Sequence, residues 1–205
     1  TYPEFSWETL PVAFHSSNPA GPYSDEQLAN ISKYASATFE KYQGLHEWVE
    51  HGYDWETCQN GTDVTKCGCC IEDEMAAMGK KLKQLNPKIM VIEYINSQQV
   101  YPWYRVGHAV AARPDLWLRN SSGDVILAGN GHWVFPDHSK PEAAALWEQG
   151  VLNSTRTGSI DGAFVDGCAK SVHGAPADFE DGKKTMLKRL QTEIPGVLVC
   201  GSNGD

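Results

Sequence analysis

Residues 159–168 restrict the fold more than any other stretch of this chain. Asp161 and Gly162 make a turn, Ala163, Phe164 and Val165 form a short apolar run, and Asp166 with Gly167 ends it before Cys168. The pattern reads as one short buried strand with punctuated ends. A carboxylate at the carboxyl end of a buried strand costs several kcal/mol unless it is paired or hydrogen-bonded, so a chain tends to keep one where it has a task. In a β/α barrel that end of the strand is where the active site sits. Asp166 is therefore the first candidate for chemistry.

The remaining chain supplies alternating units around this strand. Residues 11–15 read as a first strand, and Ser24 followed by Gln27 is a capping box opening a helix with Leu28, Ile31 and Ala35 on one face. Residues 37–42 read as a second strand. An excursion over 45–70 carries four cysteines. Ile71, Met75, Met78, Leu82 and Leu85 then recur at helical spacing until Asn86 and Pro87 end the helix. Residues 88–97 are a third strand, followed by a second, aromatic-rich excursion over 98–136. Ser139, Pro141 and Glu142 mark a helix start, with Ala144, Trp147 and Val151 on its inner face. The strand ending at Asp166 is the fourth. A helix through Met186, Leu187, Leu190 and Ile194 leads to a fifth strand at 197–200.

Alternating β and α units with strands buried on both sides imply an α/β chain with a parallel sheet. With 205 residues there is room for one domain over 1–205. Five strands are too few to close an eight-stranded barrel. The expected architecture is a partial (β/α) barrel, and its open edges are places where another chain could pair, giving a homo-oligomer or fibre.

Six cysteines fit disulfides better than zinc, because Cys67, Cys69 and Cys70 lack paired C-x₂-C spacing. Cys58, Cys67, Cys69 and Cys70 crowd the first excursion. Cys168 and Cys200 each end a strand and can be bridged if those strands are neighbours. Asn30, Asn60, Asn120 and Asn153 each open an Asn-x-Ser/Thr sequon, and four in this length suggest a secreted, extracellular glycoprotein carrying N-linked glycans. The chain opens at Thr1 without a leader, so a secreted origin implies a processed or partial chain. A net charge of −9 with no basic stripe argues against nucleic acid. No apolar run approaches the roughly 18–20 residues of a membrane span. Nothing in the pattern calls for a metal or cofactor.

Several segments together resemble the glycoside-hydrolase-like TIM barrels: residues 86–96, then 114–119 with Gly123, then Phe135, Pro136 and Asp137 leading into Lys140, Pro141 and Glu142, then 160–167. The likeness runs over about residues 86–168, with weaker support at 10–18 and 197–205. It implies a carbohydrate-binding cleft at the strand ends. It also implies that Asp166 is nucleophile, general base or charge stabiliser of glycosidic cleavage, with the acid/base carboxylate on a later strand.

Cleavage needs a second carboxyl, about 5–5.5 Å from Asp166 for retention or roughly 6.5–9.5 Å for inversion. Glu93 and Glu40 are the strand-borne candidates. Strand alternation sets Tyr94 and Asn96 on one face and Glu93 on the other, so if Tyr94 and Asn96 line the cleft, Glu93 faces a helix. His15 at the first strand exit, Tyr94, Asn96, Asp137, His138 and Asn203 are candidates for hydrogen bonds to sugar. Trp103, Tyr104 and Trp133 are candidate stacking rings, each with core packing as the other reading. The sequence leaves two functions open. One is a carbohydrate-binding or carbohydrate-cleaving enzyme. The other is a non-catalytic extracellular glycoprotein that reuses a partial barrel as a structural subunit.

Overall fold

Five parallel strands lie side by side in one sheet, in the order Ala13–Ser16, Ser36–Phe39, Met90–Asn96, Gly162–Asp166 and Val197–Gly201. A computed structural model describes residues 12–44, 69–128 and 133–201. In chain order the elements are β1 (Ala13–Ser16), α1 (Asp25–Ile31), β2 (Ser36–Phe39), α2 (Ile71–Leu85), β3 (Met90–Asn96), α3 (Arg105–Ala111), β4 (Leu127–Ala128), β5 (Trp133–Val134), α4 (Pro141–Thr155), β6 (Gly162–Asp166), α5 (Ala177–Glu193) and β7 (Val197–Gly201). This is an α/β fold covering part of a β/α barrel.

Side-chain alternation divides the sheet into two faces. The face that meets the helices carries Ala37, Phe39, Val91, Ile95, Ala163 and Val165, all buried. They join one core with Ile71, Met75, Met78 and Leu82 of α2, Trp147 and Val151 of α4, and Met186 and Leu190 of α5. Burying each of these large apolar side chains stabilises the fold by about 1.5–3 kcal/mol. The opposite, inner face carries His15, Thr38, Ile92, Tyr94, Asn96, Phe164 and Asp166, by the register His15 to Thr38, Thr38 to Ile92, Tyr94 to Phe164 and Asn96 to Asp166.

Local signals and structure agree at α1, where Ser24 accepts from the Gln27 amide and the Gln27 side chain accepts from the Ser24 amide. Elsewhere they differ. β2 ends at Phe39 rather than at residue 42, which leaves Glu40 just past the strand. Ser139 does not cap α4. Its hydroxyl donates to Asp137, and Pro141 alone marks the helix start. The 98–136 excursion contains a helix, α3, and the antiparallel pair β4 and β5. α3 starts without a side-chain cap of its own. The Arg105 amide donates instead to Glu72 Oε1 on α2. Gly107 lets α3 lie directly against the Tyr101 carbonyl, a space any Cβ would fill.

Candidate active site

Asp166 is half-buried at the last position of β6, and both its carboxylate oxygens are engaged. Tyr94 donates its hydroxyl to Oδ2 at 2.7 Å, Asn96 lies 3.5 Å from the same oxygen, and the Gly167 amide donates to Oδ1 at 2.7 Å. Pairing of Asn96 with Asp166 puts these groups side by side because β3 and β6 are in parallel register. Gly167 takes φ of +75°, a left-handed turn that favours glycine, and in that turn its N–H points back at the carboxylate. The main-chain oxygen of Asp166 accepts from both the amide and the hydroxyl of Ser97. Burial and the neighbouring Tyr101 push the Tyr94 hydroxyl well above its ordinary range, so it stays a proton donor across physiological pH.

A second carboxyl stands on the same side of the sheet. Glu40 Oε1 lies 2.5 Å from His15 Nε2, and Glu40 Oε2 accepts from Lys41 at 3.1 Å. The His15 ring meets Phe164 edge-on at 5.0 Å, and Phe164 stacks with Tyr94 at 6.1 Å. Lys41 joins the two carboxyls indirectly, since its ammonium touches Glu40 and also lies 4.4 Å from the centre of the Tyr94 ring. Burial favours the neutral amine, but the charges and dipoles of Tyr101 and Glu40 outweigh it, and the Lys41 pKa rises. Lys41 and Phe164 are members of the site that sequence reasoning did not single out. The one signal for Lys41 was its place beside Glu40.

Other expected site residues lie elsewhere. Glu93 is on the helix face of β3, buried, with one carboxyl oxygen unpartnered. Burial, opposed in part by Ser154 and reinforced by Glu72, raises its pKa well above the ordinary range. A group so placed does not face Asp166 and is not its catalytic partner. Trp103 is fully buried, and its indole N–H donates to the Lys41 carbonyl. Tyr104 is also buried and donates to the Tyr94 carbonyl. These two rings pack beneath the site and cannot stack on a ligand. Trp133 is half-buried, edge-on to Tyr101 at 5.0 Å.

His138 is buried against Phe179 and Trp147 and donates through Nε2 to the Ser97 carbonyl. Burial lowers its pKa to about 4, so it is neutral and serves as packing, not as a sugar ligand. Asp137 is buried too, accepting from Ser139 and paired with Lys140 at 3.2 Å. Asn203, Cys58, Cys67 and Asn60 lie outside the described residues. Asn30 and Asn153 are exposed, and Asn120 heads a turn by accepting from the Ser122 and Asp124 amides. Cys168 is bonded to Cys200 across neighbouring strands, with their Cα atoms 5.9 Å apart, and Cys69 is bonded to Cys70. Among the described residues no group of three or more His, Cys, Asp or Glu could hold a metal ion, and no helix is long and apolar enough to cross a membrane.

Parallel βα units with a hydrogen-bonded carboxylate at a strand exit define a partial β/α barrel, a fold whose chemistry is expected at the carboxyl ends of its strands. Solved structures agree with that class. The galactosidase domain of an alpha-galactosidase-sucrose kinase superimposes with a TM-score of 0.58 at 14% identity, over 97% of this chain and 27% of its own. The alpha-galactosidase of Thermus thermophilus gives 0.59 at 13% identity, over 94% of this chain and 38% of its own. A hypothetical protein from Ruminiclostridium thermocellum gives 0.54 at 11% identity, over 93% of this chain and 96% of its own. The chain thus spans roughly a quarter to two fifths of the galactosidases it resembles, and the likeness is one of fold. No family model matches the chain, and no curated protein matches it.

Proposed function

We propose that this chain is an extracellular glycoprotein that binds or cleaves glycosides on the inner face of its sheet, with Asp166 as the key carboxylate. The observation that carries this reading is the state of that carboxylate. It stands at a strand exit, both oxygens are fixed by neutral donors, and among the described residues no cation pairs with it. A carboxylate held in this way keeps its direction, as attack on, or stabilisation of, a cationic sugar centre requires. Glu40, held between His15 and Lys41, is the second carboxyl. The fold neighbours that act on α-galactosides make those glycosides the first substrates to try. Exposed sequons and the Cys168–Cys200 bond favour a secreted protein carrying N-linked glycans.

Release of reducing sugar from a panel of α-galactosides and polysaccharides tests the reading, with Asp166→Asn as the paired control. Turnover abolished in the variant supports it, and equal behaviour of the two proteins removes it. Intact mass before and after deglycosylation tests the glycans.

The second reading, a non-catalytic structural subunit, draws on the sheet edges. Among the described residues β1 and β7 each pair on one side only, leaving backbone groups able to recruit another copy. Sedimentation at rising concentration tests it: a monomer throughout removes it.

A further inference from the structure

The turn that follows Asp166 is held from behind by a buried charge. Lys183 of α5 is 1% exposed. Its ammonium pairs with Glu180 Oε2 at 2.9 Å and donates to the carbonyls of Lys170 and, at 3.5 Å, Gly167. A buried ammonium is unfavourable by several kcal/mol before its partners are counted, and an apolar side chain of the same length would fill the space without that penalty. Its retention therefore points to what the charge does.

Apart from the Phe179 ring, 5.8 Å from its ammonium, every partner of Lys183 belongs to the loop after β6 or steadies that loop. Glu180 accepts from the Val172 amide at 3.1 Å. Gln98 donates to the same Lys170 carbonyl at 2.5 Å, and its side chain lies where a Cβ on residue 167 would point, 3.1 Å away. The Gly167 carbonyl accepts from Lys183 at 3.5 Å and also from the Lys170 amide at 3.2 Å, so Lys183 acts on this turn together with the main chain of the residue whose carbonyl it holds. Gly167 in turn aims its N–H at Asp166 Oδ1.

We propose that Lys183 is a positioning residue for the Asp166 carboxylate. Through the carbonyls of Gly167 and Lys170 it holds the left-handed turn that directs the Gly167 amide onto Oδ1. The inference rests on the reading of Asp166 as the working carboxylate, and it adds the element that keeps that group in line.

The test compares wild type with Lys183→Met and with the double variant Glu180→Gln/Lys183→Met, which removes both charges and so leaves no unpaired ion to upset folding. Amide exchange is followed at Gly167 and, as internal reference, at Ile92 and Tyr94 in β3. The Gly167 amide should exchange at least about tenfold faster in both variants while the β3 amides keep their protection. On a hydrolysed glycoside, kcat should fall on the order of 100-fold with KM within about twofold, the split expected when a reacting group is misaligned but substrate binding is intact. Unchanged Gly167 protection in the folded variants overturns the proposal, as does an unchanged kcat. Wild type and Asp166→Asn that are equally inert on glycosides sink the glycosidase reading instead, and Gly167 exchange still decides the role of Lys183.

Discussion

Two aspartates bracket β6, and the structure treats them in opposite ways. Asp161, just before the strand, accepts the Lys83 ammonium at 2.6 Å and the Val91 amide at 2.7 Å, and its main chain bonds Val91 and Val197. It ties the starts of β3, β6 and β7 together, with its charge balanced by direct contact. Asp166, at the other end, is gripped by a tyrosine hydroxyl, a backbone amide and a more distant carboxamide, none of them charged. One carboxylate is neutralised and the other is only aimed. Barrels separate stability at the amino ends of their strands from chemistry at the carboxyl ends, and the two ends of this five-residue strand differ in the way that division predicts. A cavity of about 280 Å³ does lie at the amino ends, between Lys83, Lys88, Asp161 and Gly196, but its acid is already occupied in holding the sheet together.

The contrast can be broken most directly at Asp166. Asp166→Asn should lower glycoside turnover by at least on the order of 10³-fold while leaving the urea midpoint nearly unchanged, since asparagine keeps an oxygen for one of the two donors. Loss of folding in that variant would make Asp166 a structural group like Asp161.

A third carboxyl is accommodated in yet another way. Burial pushes Glu72 up to about 7 from an ordinary value of 4.5, against the lowering effect of the Arg105 amide. The folded chain therefore holds a proton on Glu72 that the unfolded chain has released. Stability is fully present below about pH 4.5 and is lost as pH rises through about 7, by on the order of 3 kcal/mol. Thermal melts across this window should show a slope to which the buried Glu93 adds in the same direction, and Glu72→Gln should remove the Glu72 share of it.

Removing the neutralised aspartate should cost stability and little else. Asp161→Ala should destabilise the fold by about 2 kcal/mol in urea titrations, from two lost charge-assisted bonds at a half-exposed site. Activity per folded molecule should be unchanged, and a selective fall in kcat would erase the distinction between the two strand ends.

The smallest effect is expected at Tyr94→Phe, which takes only the Oδ2 donor from Asp166. Turnover should fall about tenfold, the value of one hydrogen bond to a charged acceptor, with the ring packing against Phe164 preserved.

What could be read from the sequence was whatever depends on near neighbours. The spacing of Ile71, Met75, Met78, Leu82 and Leu85 marks α2 because a helix brings those positions to one side; the first four are buried, while Leu85 in the last turn is exposed. Alternation within β3 was enough to separate Tyr94 and Asn96 from Glu93. Elements fixed by distant partners were not legible. α3 is held by Glu72 from another helix and by the close approach of Gly107 to Tyr101. Trp103 and Tyr104 looked like rings for a ligand, but the acceptors of their donors, Lys41 and Tyr94, turn them inward. The only local mark of Lys183 is its place three residues after Glu180 on a helix, and its role depends on carbonyls that only the folded chain brings to it.

The pairing of β3 with β6 has a consequence for how the molecule comes together. The donors Tyr94 and Asn96 are separated from Asp166 by 72 and 70 positions along the chain. Closing so long a loop is an entropic barrier that contacts within one hairpin or helix do not meet. The carboxylate cannot acquire its partners while the intervening polypeptide is still unordered, so its hydrogen-bonded setting forms late, once β3 and β6 lie side by side. Nascent chains that carry every one of these residues still lack that arrangement until the two strands have paired.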